Sequence, residues 1–93
     1  MTVEYEQSFY DDFENIVDKH IIRRAYSAIK KLKSASSLRE VTNIIPMKGA
    51  PGFFRIRFGE YRIGFQVIED NTVVLLAINR RSVFYRYFPS KFQ

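Results

Sequence analysis

Four arginines, Arg55, Arg57, Arg62 and Arg81, are the residues whose type and spacing point to chemistry. Three lie in "FFRIRFGEYRIGF", Phe53 to Phe65, and the fourth follows in "INRRS". Gly59-Glu60 suits a two-residue hairpin turn of type II′, with glycine first. In that register Phe58 faces Tyr61, Arg57 faces Arg62, Ile56 faces Ile63 and Arg55 faces Gly64. Side chains alternate along a strand. One face therefore carries Phe54, Ile56, Phe58, Tyr61, Ile63 and Phe65, and the other carries Arg55, Arg57 and Arg62. A second two-residue turn, of type I′ at Asp70-Asn71, sets Asn79 opposite Arg62, with Arg81 further along the same face.

Like charges directly across a strand pair cost about 0.2–1 kcal/mol. Slipping the register by one residue would bury them, so the apolar pattern enforces the arrangement. Glu4 and Glu6 on the first strand can neutralise part of this charge. Two short acids do not balance four arginines, however, and no arginine of the hairpin has an acid as its partner. A bound anion relieves the repulsion. Guanidinium forks match phosphate better than lysine does, which favours a phosphate site on this face over solvated charge.

The elements that must position this face can be read along the chain. Val3 and Tyr5 alternate with Glu4 and Glu6, the pattern of a short half-buried strand. Ser8 stands as an N-cap with Asp11 three residues on, in the manner of a capping box. Phe9, Phe13, Ile16 and Val17 then form one helical stripe. Asp18 caps a second helix in which Ile22, Ala25, Tyr26, Ile29 and Leu32 repeat, and a single kinked helix is the alternative. "SASS", Ser34 to Ser37, ends the helical part. Pro46, Gly49, Pro51 and Gly52 mark a connection, with room for a short element between Leu38 and Ile45. Strands are expected at 53–58, 61–68 and 72–80, and Pro89 stops any regular element in the tail. The sum is one α+β domain, residues 1–93: a strand and two helices packed on one face of an antiparallel sheet.

Composition narrows the function. The 93 residues are 46% hydrophobic and 16% aromatic, enough for a core without staples. No cysteine is present, which excludes disulfides and thiolate catalysis. No apolar run is long enough to cross a bilayer. The net charge of +5 is polarised, because six acids precede Lys19 and only Glu40, Glu60, Glu69 and Asp70 oppose the 15 Lys and Arg from there onward. Such asymmetry points to a polyanion or an acidic protein partner. No metal-ligand spacing, paired carboxylates on the basic strands or glycine-rich phosphate loop occurs. His20, the sole histidine, sits at the start of the second helix and reads as an ordinary helix residue.

"MKGAPGFFRIRFGEYRIGFQVIED" followed by "VVLLAINRRSVFYRYFP" resembles the RelE/ParE superfamily of toxins from type II toxin–antitoxin modules. The likeness runs from about Gly52 to Pro89, and the N-terminal strand and helix pair agree in order. The RelE branch, which the resemblance favours, implies a cytoplasmic, ribosome-dependent mRNA interferase that uses no metal or cofactor and is held by a cognate antitoxin. It carries catalytic roles onto Arg55, Arg57, Arg62, Arg81 and Tyr85. RNA contacts are expected from Lys48, Arg80 and Arg86, with Tyr87 stacking on bases. RelE itself has lysines where this chain has the two arginines of R-I-R. Arginine does not serve as a base at neutral pH, so base or orienting work falls to Tyr85 or to a ribosomal or substrate group. The alternative is the ParE branch, which shares the fold and poisons DNA gyrase. A third reading is a toxin fold that only binds RNA.

Overall fold

The computed structural model describes residues 1–69 and 71–93. Its elements are β1 (Thr2–Tyr5), α1 (Gln7–Glu14), α2 (Lys19–Ser34), β2 (Ile44–Pro46), β3 (Phe53–Phe58), β4 (Tyr61–Glu69), β5 (Thr72–Arg80) and α3 (Arg81–Phe84), with short 3-10 turns at Leu38–Glu40 and Ser90–Phe92. One five-stranded sheet runs β1-β5-β4-β3-β2, with β1 parallel to β5 and the other pairs antiparallel. The α+β architecture is the expected one, with one strand more than the sequence revealed. That strand, β2, has three residues and ends in Pro46, which suits only a sheet edge.

Helices α1 and α2 cover one sheet face. Phe9, Ala25, Ala28, Ile29 and Leu32 pack against Ile56, Phe58, Tyr61, Ile63, Phe65, Val73, Leu75 and Ile78. The chain breaks between Glu14 and Lys19, so two helices form rather than one kinked helix. Asp18 caps α2 as expected, its carboxylate accepting the His20 N–H at 2.8 Å. At α1 the expectation fails. Glu6 is the N-cap, without a side-chain bond, and the Ser8 hydroxyl donates to the Leu76 carbonyl at 2.7 Å. Val17 lies past the helix end and is 88% exposed, so the apolar stripe stops short of it.

Part of the opposite sheet face, away from the arginines, is apolar too. Phe53, Val74, Leu76 and Ala77 are covered there by Phe84 and Phe88 from the C-terminal segment. Gly64 makes this possible: a Cβ on it would stand 2.5 Å from the Phe88 ring. Phe88 is 1% exposed and its ring packs tilted against Phe84, with centroids 4.8 Å apart.

The hairpin register is the expected one, with Phe58 on Tyr61, Arg57 on Arg62, Ile56 on Ile63 and Arg55 on Gly64. Gly59 has φ +57°, the conformation a type II′ turn needs at its first position. Asp70 lies outside the described residues, and with it the type I′ assignment; Asn71 has φ +62°. Two register shifts interrupt the β4–β5 ladder, between Gly64 and Phe65 and between Val67 and Glu69. They compensate, so Arg62 still faces Asn79.

Candidate functional site

Strands β3 and β4 carry Arg55, Arg57 and Arg62, and a backbone staple brings in the rest. The Arg81 N–H donates to the Glu60 carbonyl at 2.6 Å, tying the start of α3 to the hairpin turn. Arg55, Arg57, Arg62, Arg81 and Tyr85 then line one groove of about 580 Å³, with Gly59 and Glu60 at its rim. Four guanidinium groups thus share a site with one acid.

Each side chain is held differently. Arg55 donates through Nε to the Tyr85 hydroxyl at 3.2 Å and through Nη1 to the Asn43 carbonyl at 3.0 Å. Asn43 reaches that position from a backbone with φ +66°, which asparagine tolerates better than most residues. Tyr85 is 44% exposed and packs edge-on against Phe84 at 5.1 Å. Arg57 and Arg81 are exposed.

Arg62 is not the open clamp that alternation implies, being only 6% exposed. Its Nη1 donates to the carbonyls of Gly59 and Tyr61, both at 3.0 Å, so the guanidinium braces the turn. Its buried Nε has no partner. An orphaned buried donor of this kind, with no acceptor among the described residues, is costly.

The further RNA-contact candidates lie elsewhere. Arg80 stacks over Tyr61 at 5.6 Å and lines a separate depression with Asp12 and Asp18. Lys48, in the β2–β3 connection, and Arg86, past α3, are exposed and are not among the residues lining the groove. Tyr87 turns away from it. Its hydroxyl donates to Asp12 Oδ2 at 2.7 Å and receives Asn79 Nδ2 at 3.4 Å. Burial, followed by the Asp12 bond, raises its pKa above the usual phenol value. Asp12 also accepts the Ile78 N–H at 3.0 Å. Asp12, Asn43 and Gly64 therefore support the site without a motif to announce them. Only Gly64, a glycine inside a strand, carried a signal of close approach. Among the described residues, no three acids or histidines gather to hold a metal ion.

Residues 3–84 match the family model of the ParE toxin of the type II toxin–antitoxin system, parDE. The chain belongs to this toxin family. The toxin is 33% identical over 90 residues to Toxin RelE3 of Methanocaldococcus jannaschii, an alignment spanning 96% of this chain and 100% of that protein. It is similar to the toxin in the RelB–RelE antitoxin–toxin complex from Methanococcus jannaschii, with TM-score 0.76 and 30% identity over 92% of this chain and 99% of that one. The intact E. coli RelBE complex matches with TM-score 0.61 over 85% and 94% of the two chains; at 15% identity this is a likeness of fold alone.

Proposed function

We propose that this toxin is a ribosome-dependent mRNA interferase, and that the groove of Arg55, Arg57, Arg62, Arg81 and Tyr85 is its active site. The observation that carries the reading is the convergence of four guanidiniums and one exposed tyrosine on a single groove. RNA cleavage of this kind needs the 2′-oxygen to attack the phosphorus in line as the 5′-oxygen leaves. Arginine donors then stabilise the phosphorane, each worth about 2.7–4 kcal/mol of barrier where preorganised. Arg55 is ordered by Tyr85 and Asn43 before substrate arrives. The Tyr85 oxygen accepts from Arg55, so this hydroxyl is placed to orient the 2′-OH, whose proton passes to a ribosomal or substrate group as the 2′-oxygen attacks. The ribosome positions the mRNA, which places the activity in the cytoplasm.

The relatives that are solved with RelB support a cognate antitoxin as this toxin's partner. Its acidic segments would meet the basic groove and compete with RNA. A second reading, inhibition of DNA gyrase, is favoured by the ParE description of the family model. Primer extension on mRNA from a translating reaction tests the choice. Cuts within ribosome-occupied codons are expected, lost in Arg81→Ala and Tyr85→Phe, two substitutions at exposed positions. Folded, toxic protein that cuts nothing and blocks supercoiling would move the assignment to gyrase.

A further inference from the structure

A second basic cavity, of about 380 Å³, lies between α2 and the free edge of β3, beyond the end of β2. Its polar lining is Arg24, Ser27, Lys31, Thr42, Asn43 and Arg57. Three cations and two hydroxyls converge there, and no carboxylate is among the lining residues described. Arg57 and Gly59 also line the active groove, so the two cavities meet around the hairpin tip.

Arg24 is held at that junction. Its guanidinium lies over the Phe58 ring at 5.7 Å, and its Nη1 comes within 2.8 Å of where a Cβ on Gly59 would stand. Stacking occupies the face of a guanidinium and leaves its N–H edge for an anion. The glycine thus serves two purposes, the turn conformation and the close seat for Arg24. Lys31 and Ser27 follow on the same side of α2, within two turns.

We infer that this cavity is a second phosphate subsite, in which Arg24 and Lys31 hold the backbone of a nucleotide flanking the cleaved one on the same RNA strand. The inference rests on the interferase reading, since it extends that substrate's path from the sheet, past Arg57, onto the helix. It assigns Arg24 and Lys31 to binding and to no chemical step.

The test is the salt dependence of RNA binding by the full chain. The probe is a fluorescein-labelled oligouridylate of about 12 nucleotides, within the usual span of a single-strand site. Each phosphate contact contributes about 0.7 to the slope of log K against log salt for single strands. Arg24→Ala with Lys31→Ala should lower that slope by about 1.4, and Lys31→Ala alone, at an exposed position, by about 0.7. Arg23→Ala with Lys30→Ala removes the same charge from α2 outside the cavity and should leave the slope nearly unchanged.

Equal losses in both double variants, or none in either, overturn the subsite. If the wild type still cuts ribosome-bound mRNA in that case, the interferase reading stands without it. If the Arg24/Lys31 variant loses antitoxin binding while its RNA slope is intact, the cavity belongs to the protein partner. A wild type that neither binds the probe nor cuts mRNA removes the subsite and the interferase reading together.

Discussion

Tyr87→Phe removes one oxygen and probes how the C-terminal segment is anchored. The lost hydroxyl donates to Asp12 Oδ2 at 2.7 Å, across 75 residues of sequence. A hydrogen bond to a charged group contributes about 1.5–3 kcal/mol. Asp12 keeps the Ile78 N–H at 3.0 Å, so its carboxylate is not stranded and the lower end applies, about 1.5 kcal/mol. With an m-value of about 1.5 kcal/mol per molar, the urea midpoint should fall by about 1 M at pH 8. The pH dependence gives a second check. Burial and Asp12 raise the folded-state pKa of Tyr87, so the folded protein keeps this proton where the unfolded chain loses it, above about pH 10. The unfolded state then binds fewer protons, and stability falls as pH rises. Tyr87→Phe lacks that loss. The gap between the two proteins should hold below about pH 9 and narrow by up to about 0.8 kcal/mol at pH 10.5, less where solvent screens this half-buried site. Urea melts at the two pH values decide it. Equal midpoints at pH 8, or a gap unchanged at pH 10.5, would refute the assignment of this bond as the anchor.

Two other substitutions separate stability from function. Gly64→Ala puts a methyl 2.5 Å from the buried Phe88 ring, which must shift to admit it. It should cost about 1–3 kcal/mol of overpacking, seen as a thermal midpoint lower by at least about 4 °C; an unchanged midpoint would count against the tight contact. Arg57→Thr relieves the like-charge pair with Arg62 and should stabilise the fold by about 0.2–1 kcal/mol. In the same variant mRNA cleavage should slow by about 10²–10³, so a urea melt and primer extension should move in opposite directions.

Strands β3, β4 and β5 were legible because Gly59-Glu60 marks a turn whose flanks alternate apolar and basic. That local chemistry set the register of the hairpin and hence the grouping of Arg55, Arg57 and Arg62. Features that depend on distant partners were not legible. Ser8 has the residue type of a helix cap, yet the Leu76 carbonyl, 68 residues away, takes its hydroxyl. Val17 continues a helical stripe that the backbone has already left. Strand β2 is too short for any period to show. The burial of Arg62 follows from how the turn carbonyls capture its guanidinium, which alternation alone does not describe. Tyr87 looked like a stacking residue beside Tyr85, and only the fold reveals that Asp12 faces it.

Strand β1, the first strand in chain order, pairs with the last, β5, Thr2 against Thr72 and Tyr5 against Leu75. Asp12 likewise waits for Tyr87. Pairings this far apart in sequence form late and slowly. A nascent chain that has not yet reached Thr72 has no β5 to close the sheet and no Tyr85 to order Arg55. Synthesis therefore acts as a timer: Arg55 leaves the ribosome early and gains its ordered place only after Tyr85 has followed it and β5 has closed the sheet.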